Sequence, residues 1–132
     1  MKIGKHSINI KQNFLDSLVG FVNNFFIRLY LFFAILTNVL GWLAARKIAS
    51  LIKGESIYLH YNVNFGVDYV GNVTDLHAFP ILGSLILLIN IFVYLLFGNN
   101  NKFFGQMLMI ASIAVNVFIL LALGSIYLIN FR

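Results

Sequence analysis

Apolar runs separated by short polar stretches dominate the pattern along the chain. Residues 27–50, 79–97 and 103–130 each form such a run, with charged side chains only near its ends or outside it. A helix needs about 20 predominantly apolar residues to cross the hydrocarbon core of a bilayer. The pattern therefore predicts three transmembrane helices, and Pro80 suits the first turn of the second one.

The segment before the first run has two different sides. Within residues 11–26, Phe14, Leu18 and Phe21 recur at helical spacing, and polar residues such as Asn23 fall between them. This spacing predicts an amphipathic helix. Such a helix either lies in the membrane interface or forms the protruding start of the first transmembrane helix.

Polar side chains are concentrated in residues 53–78, the loop between the first and second runs. Its stretch His60–Gly71, HYNVNFGVDYVG, alternates polar with aromatic or β-branched residues, which predicts a strand that continues through Phe65. Gly66 then supplies a turn, and Val67–Val70 forms a second short strand. A two-stranded hairpin is marginally stable by itself, so we expect it to lie on the membrane interface or on the helix ends.

The predicted fold is an all-α membrane protein with three transmembrane helices, an N-terminal amphipathic helix and a short extracytoplasmic β-hairpin-like loop. Residues 1–132 form a single integral membrane domain, and the short segment Gly98–Lys102 can connect only antiparallel neighbours. This length leaves no room for a large catalytic domain outside the membrane.

Composition agrees with a membrane protein. The chain is 61% hydrophobic and 10% charged, whereas soluble domains carry about 25% charged residues. It contains no cysteine, which excludes disulfides, thiolate metal sites and cysteine nucleophiles. The net charge is +5, but the basic residues flank the apolar runs singly. We therefore expect the lipid bilayer, and no nucleic acid, as a partner.

The distribution of basic residues also predicts an orientation. The N-terminus is expected in the cytoplasm and the loop on the outer face of the plasma (inner) membrane, because cytoplasmic segments carry the excess of Lys and Arg. The inner side then holds Lys2, Lys5, Lys11, Arg28 and Lys102, and the outer side holds Arg46, Lys47, Lys53 and Arg132. An organellar inner membrane is the alternative, since the composition is typical of AT-rich genes.

The loop contains the candidate functional residues His60, Asn62, Gly66, Asp68 and Gly71. Imidazole and carboxylate groups, with Asp75 and His77 nearby in sequence, are able to bind a ligand or a cation. Their spacing matches no metal signature, so the alternative is hydrogen bonding within the loop, and we expect no metal and no cofactor. A nucleophile, a base and a stabilising group do not occur together, which predicts a protein that is not an enzyme.

Three asparagines form a second candidate set inside the membrane. Asn38, Asn90 and Asn116 lie near the middle of the first, second and third runs. They are expected to meet at one depth and fix the bundle through interhelical hydrogen bonds worth about 0.6 to 2 kcal/mol. Alternatively, they line a polar path or contact a second copy or another subunit.

The loop series resembles that of small uncharacterised three-helix membrane proteins from bacteria with reduced genomes. Their HYN, FG, D and G positions are matched by His60, Tyr61, Asn62, Phe65, Gly66, Asp68 and Gly71, and Asn90 matches in the next helix. More remotely, His60, Asn62 and Asp68 are similar to the loop of a membrane domain of unknown function. That domain begins immunity proteins which protect sporulating bacteria from their own toxin.

These observations favour a non-enzymatic interaction or structural component, or an accessory subunit of a membrane assembly. Its partners would be other membrane subunits or further copies of itself as a homo-oligomer. One alternative is a ligand-sensing or immunity-type protein that uses His60 and Asp68. The other is a small transporter. It would have to be oligomeric, because three helices enclose too little space for a pore.

Overall fold

A computed structural model of the chain describes residues 4–97 and 102–131. Four α-helices and a two-stranded sheet make up its architecture. In chain order the elements are α1 (Gly4–Asn23), α2 (Phe25–Leu51), β1 (Ser56–Asn62), β2 (Gly66–Asn72), a 3-10 helix (Val73–His77), α3 (Ala78–Phe97) and α4 (Lys102–Phe131). Most of the predicted turn Gly98–Lys102 lies outside the described residues, as do Lys2 and Arg132.

Three of the helical segments are long and apolar enough to span a membrane. Phe25–Leu51, Val73–Phe97 and Phe103–Phe131 have mean hydropathies of 1.7, 2.4 and 2.5. Large apolar side chains on their surfaces are exposed, among them Leu88 and Phe118. A helix that is apolar all round is typical of a membrane span. The prediction of a mostly helical chain with three helices of spanning length is confirmed.

Helix α1 leads directly into α2 with a local break at Asn24. The Asn24 side-chain Oδ1 accepts hydrogen bonds from the backbone N–H groups of Phe26 (3.1 Å) and Ile27 (3.3 Å), as a helix N-cap does. Backbone hydrogen bonds also cross the break, from Asn24 N–H to the Gly20 carbonyl at 3.0 Å. The amphipathic segment predicted at 11–26 is therefore the second half of α1 and the first residues of α2, and the helix begins earlier, at Gly4.

The chain divides into two compact units, each of which contains part of α2, α3 and α4. The first unit holds the described residues up to Ile35 together with Leu85–Ile113. Its core centres on Ile27, Tyr94 and Met109, and the Tyr94 ring lies 5.3 Å from the Phe21 ring. 

The second unit holds Leu36–Ser84 and the described residues from Ala114 onward, and it contains the sheet. Its core is built from one face of α2, one face of α4, and residues of the sheet and the 3-10 helix. The buried members are Ala45, Ile48, Ile57, Leu76, Ile119, Leu123 and Ile126. Burying a side chain such as Ile57, which is 1% exposed, contributes about 1.5 to 3 kcal/mol. The base of the sheet is therefore part of the core of this unit.

Strands β1 and β2 pair antiparallel, with Ile57 opposite Gly71 and Tyr58 opposite Val70. The register shifts twice near His60, where β-bulges interrupt the alternation. The expectation that the first strand continues through Phe65 is wrong, because β1 ends at Asn62 and residues 63–65 form the turn.

Candidate functional site

Two members of the loop motif build the turn of the sheet. The Asn62 side-chain Oδ1 accepts a hydrogen bond from the Asn64 backbone N–H at 2.9 Å, which is how an Asx turn reverses the chain. Gly66 then adopts a φ of 77°, a left-handed conformation that glycine adopts without steric cost. This turn chemistry, rather than the alternating pattern, decides where β1 ends.

His60 and Asp68 pair across the two strands. The His60 Nδ1 atom lies 2.6 Å from Asp68 Oδ1, and the side chains are 64% and 38% exposed. An ion pair this exposed stabilises a protein by at most about 1 kcal/mol. The pair therefore contributes little to the stability of the fold. With the Nδ1 proton directed at the carboxylate, the Nε2 atom of a neutral ring is left as an acceptor. The pair therefore holds an imidazole in a fixed orientation at the surface.

Asp75 and His77 make other contacts in the same unit. Asp75 Oδ2 accepts the Asn72 backbone N–H at 2.9 Å, at the start of the 3-10 helix. The His77 Nδ1 atom lies 3.2 Å from the Thr74 carbonyl oxygen, and its ring lies 6.1 Å from the Trp42 ring. In the part of the chain that the structure describes, no group of three or more His, Asp or Glu side chains is arranged to hold a metal ion.

Gly71 allows two neighbouring side chains to pack closely against β2. An added Cβ there would collide with the Leu59 side chain and would lie 2.8 Å from Asp75 Oδ2. Leu59 packs against the buried core of the second unit. The glycine therefore allows one side chain of β1 and one of the 3-10 helix to reach β2 together.

Asn130, in the last turn of α4, attaches the sheet to that helix. Its Oδ1 accepts the Tyr58 backbone N–H at 3.0 Å, and its Nδ2 donates to the Tyr58 carbonyl at 2.8 Å. The same Nδ2 lies 2.8 Å from the Ile126 carbonyl. A side-chain amide thus takes the place of a neighbouring strand at one residue of β1. Sequence analysis missed this residue; the only available indication was a polar amide at the end of an apolar run.

Two of the three asparagines predicted to lie within the membrane meet in the second unit. Asn38 Nδ2 donates to Asn116 Oδ1 at 2.9 Å and to the Pro80 carbonyl at 3.2 Å. Ser84 Oγ lies 2.9 Å from Asn38 Oδ1, and the Trp42 indole N–H reaches Ser84 Oγ at 3.4 Å. Asn38 and Asn116 are buried. This geometry supports the packing role, because the amides of α2 and α4 are occupied inside the chain.

Gly83 makes that amide pair possible. A Cβ at this position would collide with Asn116 Oδ1, lie 2.9 Å from Asn38 Nδ2 and approach Ile119 to 3.0 Å. Close approach of helices at small residues is typical of membrane bundles. Glycine at 83 therefore gives the two asparagines the room in which to bond.

Asn90 belongs to the first unit and has another partner. Its Nδ2 donates to Ser112 Oγ at 2.9 Å, which connects α3 with α4. Ser112 Oγ in turn lies 3.1 Å from the Leu108 carbonyl of its own helix. The predicted set of three thus consists of a pair, Asn38 with Asn116, and a separate contact of Asn90 with a serine.

No family model, curated protein or solved structure matches the chain. The resemblance of the loop to the small bacterial three-helix proteins and to the immunity-protein domain stays a prediction.

Proposed function

We propose that the chain is a non-enzymatic multi-pass protein of the plasma (inner) membrane that serves as an accessory subunit of a membrane assembly. The N-terminus lies in the cytoplasm and the sheet on the outer face, and kinship with the small three-helix bacterial proteins is part of the proposal. The observation that supports the subunit role is the open outer edge of β2, because such an edge can accept an extended segment of another subunit as a third strand.

The hydrogen bonds around the sheet identify that edge. In an antiparallel pair, opposed residues alternate between exchanging backbone hydrogen bonds and directing those groups outward. Val73 N–H bonds the Glu55 carbonyl at 2.9 Å, whereas Tyr58 directs both its groups away from β2, to Asn130. Val70, opposite Tyr58, therefore directs its N–H and C=O to the outer side of β2.

Outward-facing backbone groups at two other residues of the sheet have partners in the chain. Asn130 occupies those of Tyr58 on β1, and Asp75 accepts the Asn72 N–H on β2. Within the described residues the sheet has two strands, so β2 has a strand neighbour on one side. Natural proteins protect exposed strand edges, and an edge left open at Val70 is suited to a partner strand.

The amides within the helices support the same role. Asn38 bonds Asn116, and Asn90 bonds Ser112, all inside this chain. A polar path for a transported solute requires polar groups that are available to the solute. Interaction through the sheet is therefore favoured over transport.

The first test is a pull-down of the tagged protein from its native membrane in mild detergent, with mass spectrometry of the recovered proteins and a measurement of particle mass. We expect a stoichiometric membrane-protein partner. Recovery of the chain alone, as a monomer or small homo-oligomer, contradicts the subunit role.

A matched pair of variants tests the edge itself. Val70→Pro removes the outward N–H, and proline is tolerated where that group is not used within the sheet. Val70→Thr keeps the N–H and the β-branched shape. We expect Val70→Pro to lose the partner and Val70→Thr to retain it. Equal recovery with both variants would show that the partner binds elsewhere.

A second candidate function is ligand sensing, which the oriented His60–Asp68 pair favours. In that case His60→Ala would abolish complementation of a deletion strain while the assembly still forms. His77→Ala is the control, since His77 bonds a loop carbonyl rather than a carboxylate. Full complementation by His60→Ala would remove this candidate.

A further inference from the structure

The tip of the sheet, residues 61–69, exposes a group of aromatic and β-branched side chains. Val63 is 88% exposed and Phe65 is 83% exposed, and Tyr61 and Tyr69 are also exposed. At the base of the same sheet, Ile57 is buried in the core. Large apolar side chains exposed together at one end of a sheet are typical of a contact with a partner or a membrane.

The end of the tip, residues 61–67, is free of charge and has little unmet hydrogen bonding in its turn, and the one charged residue of the tip, Asp68, is paired with His60. Between His60 and Asp68 no residue is ionisable at neutral pH. The Asn64 N–H of the turn is bonded to the Asn62 side chain. Taking residues 61–67 out of bulk water therefore leaves no charge without its solvent, which is the costly step in burying polar groups.

The attachment of the sheet determines what surrounds the tip. Strand β1 follows the end of α2, the 3-10 helix leads into the start of α3, and Asn130 in the last turn of α4 holds Tyr58. The sheet is thus connected to an end of all three spanning segments. At that level the hydrocarbon core gives way to headgroups, where Tyr and other aromatic side chains are enriched.

We propose that this tip inserts into the headgroup region of the bilayer that the chain itself spans, with Val63 and Phe65 as the inserted side chains. The proposal rests on the membrane placement proposed above. Its exposed aromatic and β-branched side chains have the chemistry of an interfacial belt. Insertion fixes the sheet relative to the membrane plane and so presents the open edge of β2 to a neighbouring subunit within the membrane.

Single-tryptophan fluorescence tests this directly, because the chain contains one tryptophan, Trp42. In a Trp42→Phe background, Phe65→Trp reports on the tip. Phe118→Trp, at a 71% exposed position of α4, is the matched control for the spanning region. Both proteins are reconstituted in phosphatidylcholine vesicles, with and without brominated acyl chains, and are titrated with acrylamide. Val63→Trp repeats the test at the second tip residue.

We expect brominated lipid to quench tryptophan at 65 and at 63, with weak quenching by acrylamide. Quenching of the tip by acrylamide as strong as that of N-acetyl-tryptophanamide, without quenching by lipid, would place the tip in water and overturn the proposal. Protection from both quenchers would show that a second copy covers the tip, and would overturn it equally. Failure of brominated lipid to quench tryptophan at 118 would instead contradict the membrane placement, and the insertion proposal with it.

Discussion

Replacement of Gly83 by alanine tests the packing of the Asn38 and Asn116 amides. The added methyl group would collide with Asn116 Oδ1 and would lie 2.9 Å from Asn38 Nδ2. The substitution therefore breaks the Asn38–Asn116 hydrogen bond or displaces the helices that carry it. Loss of the bond costs about 0.6 to 2 kcal/mol, and overpacking of a tight contact costs about 1 to 3 kcal/mol.

The helix propensity of alanine opposes this loss. Alanine is about 1 kcal/mol more favourable than glycine within a helix. When the bond is lost and the contact is also overpacked, the expected net effect of Gly83→Ala is a destabilisation of about 0.6 to 4 kcal/mol after the gain from alanine is subtracted. Gly124→Ala is the matched control, because a Cβ at 124 has nothing within 4 Å. That control should be neutral or stabilised by up to about 1 kcal/mol.

Thermal unfolding in mild detergent, followed by circular dichroism, measures the difference between the two variants. We expect Gly83→Ala to melt below the wild type and Gly124→Ala to melt at or above it. Further replacement of Asn116 by alanine should cost less in the Gly83→Ala protein than in the wild type, because the bond is already lost. If Gly83→Ala melts with the wild type, the close contact at this glycine does not determine stability.

Three other expected results concern the sheet. Asn130→Ala removes both hydrogen bonds to Tyr58, so that amide exchange in the sheet should rise about 5- to 30-fold for a loss of one or two kcal/mol. Ser125→Ala, whose hydroxyl bonds its own helix, should leave exchange unchanged, and equal exchange in both variants would contradict the role of Asn130. Gly66→Ala should destabilise the sheet by about 1 to 2 kcal/mol, because its φ of 77° is unfavourable for alanine; the same exchange measurement checks this. In a chain with no cysteine, Gly54→Cys, just before β1 and outside the tip, should react with a membrane-impermeant maleimide added to intact cells, because a Cβ at 54 has nothing within 4 Å. Labelling only after lysis would reverse the proposed orientation.

The local elements could be predicted from the sequence because they depend on local patterns. Helices of spanning length follow from the length and uniformity of the apolar runs, and the turn follows from Gly66. The end of β1 was misplaced, since alternation continues through Phe65 while Asn62 reverses the chain by bonding the Asn64 N–H. Where pattern and turn chemistry conflict, the turn determines the strand end.

The specific partners of the polar side chains could not be predicted. Tyr58 and Asn130 are 72 residues apart, and Asn38 and Asn116 are 78 apart. Periodicity within one helix identifies its polar face but not the residue across from it. Asn90 is an example of this limit. Its partner, Ser112, has a hydroxyl group but is also small enough to be a helix-packing residue, so the sequence did not identify it as a hydrogen-bond partner.

The polar groups that are already hydrogen-bonded within the chain indicate which part of the protein is left to bind a partner. Within α2, α3 and α4, asparagine and serine side chains bond one another, so substitutions there change stability before they change binding. At the sheet, by contrast, Asn130 closes the outer edge of β1 at Tyr58, while Val70 keeps its groups directed outward on β2. Surface groups held in place but not used by the chain itself are those that a partner can use. A loss of binding without a loss of stability is therefore expected for Val70→Pro, and the reverse for Gly83→Ala.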